Sequence, residues 1–61
     1  MSTQYEVLVS LDVGDQVTHQ RFGFGTVLAT SGSGDKSEAD IDFGPAGVKR
    51  MLLRYAPMEK L

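Results

Sequence analysis

Two glycine clusters, Gly32-Ser33-Gly34-Asp35 and Gly44-Pro45-Ala46-Gly47, bracket a stretch in which Ala39, Ile41 and Phe43 alternate with Glu38, Asp40 and Asp42. Period-two alternation is the mark of a strand with one dry and one wet face, because successive side chains leave a strand on opposite sides. The flanking clusters supply residues that tolerate positive φ, and Pro45 fixes its own φ and offers no donor to a ladder. The chain is therefore expected to reverse at both, pairing residues 26–31 with 36–43 and the latter with 48–55 as a meander. Residues 48–55 carry no helix cap and sit beside two glycines and Pro45, so they read as a strand that Pro57 ends. A meander has exposed edges, and the segments 15–19 and 58–61 are well placed to close it. The expected fold is all-β: a small five-stranded antiparallel SH3-like or Tudor-like barrel.

At 61 residues the chain is one domain at most, and a chain this short buries only about 60% of the surface its unfolded form exposes. It has no cysteine, which removes disulfides and thiolate zinc sites and fits a reducing, cytoplasmic setting. No apolar run is long enough to cross a bilayer, and the opening "MSTQYEVLVSLD" lacks the basic start and apolar middle of a secretory signal. Six Lys plus Arg against eight Asp plus Glu give a net charge of -2, which argues against phosphate-driven nucleic-acid binding as the main activity. Residues 1–12 read as a linker or flexible N-terminal segment, although the alternation of Tyr5, Val7, Val9 and Leu11 leaves an added edge strand over residues 5–11 open.

The segment "RFGFG", residues 21–25, invites a phosphate-loop reading. A dinucleotide fingerprint needs a third glycine and a following helix whose N-terminal N–H groups meet the pyrophosphate, and here Leu28 stands where that glycine belongs. Gly23 and Gly25 then serve a turn or bulge, with Phe22 as a core plug and Phe24 at the tip, available to a partner. His19 is the single histidine, and Asp15 is its nearest carboxylate in sequence. Such a pair can polarise a water, yet a strand-end histidine is more often a hydrogen-bonded surface residue. Glu38, Asp40 and Asp42 share a strand face at about 6.5–7 Å spacing, too wide for a cation cage. A solvated face paired across the sheet with Arg50 or Arg54 is favoured. No catalytic residue, metal ligand or cofactor is expected.

The cations are more informative. Lys49, Arg50 and Arg54 fall within six positions. By parity Met51, Leu53 and Tyr55 fill the core, while Arg50, Leu52 and Arg54 form an exposed strip of mixed cationic and apolar character, suited to a protein partner with an acidic rim. Lys49 falls on the core side and is expected to snorkel to solvent from the strand's start.

From Val13 to Leu61 the motifs V-G-D-x-V-x-H, F-G-x-G-T-V, D-F-G, G-V-K-R and A-P-x-E-K-L follow in order. Together they resemble the C-terminal Tudor-like domain of bacterial UvrD/PcrA-type superfamily 1 DNA helicases, in the actinobacterial style. The resemblance implies a non-catalytic appendage, residues 13–61, tethered by a linker to a helicase motor. It also implies a likeness to the polymerase-interaction domains of the transcription-repair coupling factor and of CarD-type regulators. The implied partner is RNA polymerase, on its beta subunit, bound by a monomer, for transcription-linked repair or removal of RNA–DNA hybrids. Of the family's functional positions the lysine of G-V-K-R matches Lys49. Arg50, Leu52, Arg54 and Phe24 join the expected partner-binding set through the exposed-strip and turn-tip arguments. Recognition by strand addition is expected at a short edge strand over residues 15–19. The alternative is a small nucleic-acid-binding module, with Lys49, Arg50 and Arg54 on phosphates and an exposed phenylalanine stacked on a base.

Overall fold

A computed structural model describes residues 11–61; residues 1–10, most of the linker expected over residues 1–12 and of the strand left open over residues 5–11, lie outside that range. Five strands, β1 (Gln16–His19), β2 (Gly23–Ser31), β3 (Glu38–Asp42), β4 (Val48–Leu52) and β5 (Met58–Lys60), form one antiparallel sheet in the order β4-β3-β2-β1-β5. The fold is all-β and Tudor-like, as the glycine punctuation predicts. Short 3₁₀ turns, Gly34–Lys36 and Gly44–Ala46, make the two reversals around β3.

Alternation fills the interior. Val17, Val27, Ile41 and Phe43 are at most 2% exposed, joined by Ala39, Leu11, Leu53 and Met58. Each of the larger side chains contributes about 1.5–3 kcal/mol by leaving water. Leu11 packs in this cluster, so the ordered unit reaches back at least two residues before Val13. At the β2–β3 ladder the register steps from Val27↔Ile41 to Ala29↔Asp40. The bulge leaves Leu28 without a partner and interrupts the alternation, so that Leu28 and Ala29 are both exposed.

Four expectations need correction. The segment 15–19 is not an edge: β1 pairs with β2 on one side and with β5 on the other, Val17 lying opposite both Gly25 and Lys60. Among the described residues the edges are β4 and β5. Second, β4 stops at Leu52 and a 3₁₀ turn, Leu53–Tyr55, follows. Leu53 is buried, but the turn breaks strand parity and Tyr55 is 71% exposed rather than in the core. Third, β2 begins at Gly23, and only that glycine, at φ +80, carries the left-handed corner. Gly25 lies inside the strand with an ordinary φ, where a Cβ would stand 2.7 Å from two ring atoms of Phe43. It is there to let the Phe43 ring lie on the backbone. Fourth, His19 is buried at 7% exposure.

Candidate partner-binding surface

Among the described residues β4 pairs only with β3, so one of its two rows of backbone groups has no strand neighbour there. The Phe43 N–H donates to the Gly47 carbonyl at 3.0 Å and the Leu53 N–H to the Ser37 carbonyl at 2.9 Å, which fixes the alternation between them. Lys49 and Met51 face β3 with their backbone groups, and the N–H and C=O groups of Val48, Arg50 and Leu52 point to the open side. The side chains of these three residues stand on the outer face and are exposed.

Arg50 is exposed but engaged. Its guanidinium forks onto Asp40, Nε to Oδ1 at 2.8 Å and Nη2 to Oδ2 at 3.3 Å, with Glu38 Oε1 at 4.0 Å. The hydrogen bond from Arg50 holds the Asp40 carboxyl below the usual carboxylate range, and the same bond raises the Arg50 pKa. The expected cross-sheet pairing of Arg50 is therefore formed. Arg54 differs: it lies in the turn after β4 and pairs with Asp35 at 2.9 Å, not with the acidic strand. Its guanidinium also lies 5.6 Å from the Tyr55 ring centroid. Asp15, the carboxylate nearest His19 in sequence, is held by the Asp12 N–H at 2.8 Å and by Lys60 at 3.3 Å. Its pKa is lowered, first by the Asp12 backbone and then by Lys60.

On the inner side the β1–β2 turn supports an aromatic stack. His19 Nδ1 accepts the N–H groups of Arg21 at 3.0 Å and Phe22 at 3.3 Å, which pins the turn to the strand end. The Phe22 ring stacks on His19 with centroids 4.6 Å apart, and Phe43 meets both rings at 5.4–5.6 Å. Lys49 does not run free to solvent. It is half-buried, and its ammonium lies 4.7 Å from the Phe22 ring centroid, a cation–π contact that caps the stack.

The five side chains expected to bind a partner thus do not share one patch. Arg50 and Leu52 stand on the outer face at the β4 edge, Lys49 stands on the inner face, and Arg54 is in the following turn. Phe24 is 74% exposed, but it stands opposite Thr18 on β2, near Asp42 and Leu61, with the acidic strand β3 between it and β4. Reading the sequence alone also misses an open groove of about 530 Å³ between the β1–β2 turn and the β4 edge. Half-buried Phe22, Met51 and Ala56 line it beside exposed Leu52 and Tyr55; its charged members are Arg21 and Arg50, and no carboxylate lines it. Pro57 was the available signal. A proline disfavours helical φ/ψ at the residue before it and forces an extended exit, so a turn just upstream of Ala56 was open to inference. Among the described residues no three His, Asp or Glu side chains gather as a metal site requires.

Residues 13–60 match the family described as the PcrA/UvrD tudor domain. The chain is 49% identical over 49 residues to the ATP-dependent DNA helicase PcrA of Bacillus subtilis, covering 79% of this chain and 7% of the relative. It is 43% identical over 54 residues to UvrD1 of Mycobacterium tuberculosis, covering 88% and 7%, and 37% identical over 49 residues to DNA helicase II of Haemophilus influenzae, covering 80% and 7%. The chain spans only about 7% of the length of these helicases. The match over nearly all of the described sheet, at this level of identity, makes the chain a member of the PcrA/UvrD tudor domain family.

Proposed function

We propose that this domain is a non-catalytic protein-interaction module that docks a UvrD/PcrA-type DNA helicase on RNA polymerase, on the beta subunit, for transcription-linked repair or removal of RNA–DNA hybrids. The observation that carries the interaction reading is the edge of β4, which has no further strand neighbour among the described residues and whose outward backbone groups lie beside exposed Val48, Arg50 and Leu52. Similarity to proteins named as DNA helicases supports the parent's identity, and the choice of RNA polymerase rests on the resemblance set out above. On this reading a motor elsewhere in the parent hydrolyses ATP, and this domain supplies a contact.

The test is capture of bacterial RNA polymerase by the immobilised domain and by its Lys49→Ala variant, after nuclease treatment. The wild type is expected to retain polymerase and the variant to retain less, because the substitution removes the ammonium and bares the Phe22 ring. Undiminished capture by the variant removes Lys49 from the contact, and no capture by either refutes the proposal. A nucleic-acid module is disfavoured by the pairing of Arg50 and Arg54 with carboxylates. Its signature would be affinity falling by about 0.7–0.9 log units per neutralised phosphate for each log unit of salt.

A further inference from the structure

The geometry points to the chemistry of the segment this domain receives: an extended, acid-flanked peptide segment that adds to β4 as a sixth strand and sets an apolar side chain in the groove between β4 and the β1–β2 turn. The inference rests on the protein-interaction reading above and deepens it. Its first support is the outward row of backbone groups on Val48, Arg50 and Leu52, which among the described residues have no strand partner. An added strand satisfies such a row with main-chain hydrogen bonds and gains specificity through alternate side chains.

The second support is what lies next to that edge. The groove of about 530 Å³ is lined by Phe22, Met51, Leu52 and Tyr55, so a side chain entering from the edge meets rings and a thioether rather than water. Natural edge strands are normally blunted, by proline or inward-pointing charge for example. β4 has no proline, since Pro45 and Pro57 both lie outside it, and its one inward charge, Lys49, is folded onto the Phe22 ring rather than left facing an incoming strand.

The third support is charge. The chain is net acidic at -2, yet the groove holds Arg21 and Arg50 and no carboxylate. Arg50 is shared with Asp40, whereas Arg21 has no ion-pair partner among the described residues. A segment with carboxylates at its ends is attracted; one with lysines there is repelled.

The probe is a synthetic peptide, acetyl-Asp-Val-Thr-Phe-Thr-Val-Asp-amide, titrated into the isotope-labelled 61-residue chain and followed by NMR. The expected result is shifts of the Val48, Arg50 and Leu52 amides together with the Phe22 and Tyr55 rings. Replacing both aspartates by lysine is expected to weaken binding roughly tenfold, and N-methylating alternate amides of the peptide is expected to abolish it with the protein unaltered. No shift at millimolar peptide, shifts centred on Phe24, or equal binding of the N-methylated peptide would overturn the inference. So would tighter binding of an oligodeoxythymidine at the same residues. Because the probe is not polymerase, the outcomes separate. Polymerase capture without peptide binding sinks the groove alone, and peptide binding without polymerase capture sinks only the choice of partner.

Discussion

Phe22 and Phe24 are two residues apart, a spacing that in a continuous strand would put both rings on one face. They part completely. Phe22 is half-buried in a stack with His19 and Phe43 beneath the Lys49 ammonium, and Phe24 is 74% exposed on the opposite face. The cause is Gly23, whose positive φ ends the turn and resets the parity of the chain before β2 begins. The two glycines of the segment do different work: Gly23 supplies a backbone conformation, and Gly25 supplies space for Phe43.

The sharpest way to break this contrast is to add a methyl group at each glycine. Gly25→Ala is expected to lose about 1–3 kcal/mol through overpacking against Ile41 and Phe43, and Gly23→Ala about 1–2 kcal/mol through left-handed strain. Because nothing lies within 4 Å of a Cβ at Gly23, enlarging the Phe43 site should rescue only the first. Denaturant midpoints of Gly25→Ala and Gly23→Ala, alone and combined with Phe43→Leu, check this, and equal rescue of both would contradict the division of roles. Next, Phe22→Ala should destabilise by about 1 kcal/mol, since half its ring leaves the core, while Phe24→Ala should stay within about 0.5 kcal/mol. A thermal melt in which Phe24→Ala loses more than Phe22→Ala reverses the assignment of inner and outer ring.

The smallest effect concerns acid. The depressed carboxyls, Asp40 bonded by Arg50 and Asp15 held by the Asp12 N–H and Lys60, bind protons less readily in the folded chain than in the unfolded one. Their contribution is present above the unfolded carboxylate range and is lost as pH falls through their lower folded values. Both carboxylates are half-buried at the surface, where solvent still screens them, and the change should be modest. In Asp40→Asn the fall in stability on acidification is expected to be shallower than in the wild type. An unchanged slope would remove Asp40 from that linkage.

The elements legible in the sequence were those set by local pattern. β3 announces itself through Ala39, Ile41 and Phe43, and its two flanking reversals through glycine and proline, because the information lies within a few residues. The exposure of Phe24 was expected from a place at a turn tip between two glycines and is met, although the residue lies inside β2; the pairing of Arg50 with the acidic strand followed from parity. What escaped reading depends on contacts distant in sequence or on a local break in the period. The interior place of β1 needs β5, and the burial of His19 needs Phe22 and Phe43 to surround it. Tyr55 turned outward because a 3₁₀ turn replaced the last residues of the expected strand. The groove was invisible for the same reason: its walls come from the β1–β2 turn and from the turn after β4, which only the curled sheet brings together.

The pairing of β5 with β1, Val17 opposite Lys60, joins positions near the two ends of the described chain. Every other ladder connects neighbours along the sequence. Loop-closure entropy therefore weighs most heavily on this one contact, and the β2-β3-β4 meander is expected to assemble before it. The turn carrying Tyr55 and Ala56 lies between β4 and β5, and the Gln20 N–H reaches it only through the Pro57 carbonyl at 3.1 Å. The Pro57 side of the groove is thus completed by the last step of folding, whereas the bonds from the Leu53 N–H to Ser37 and from Arg54 to Asp35 already tie the start of that turn to the meander.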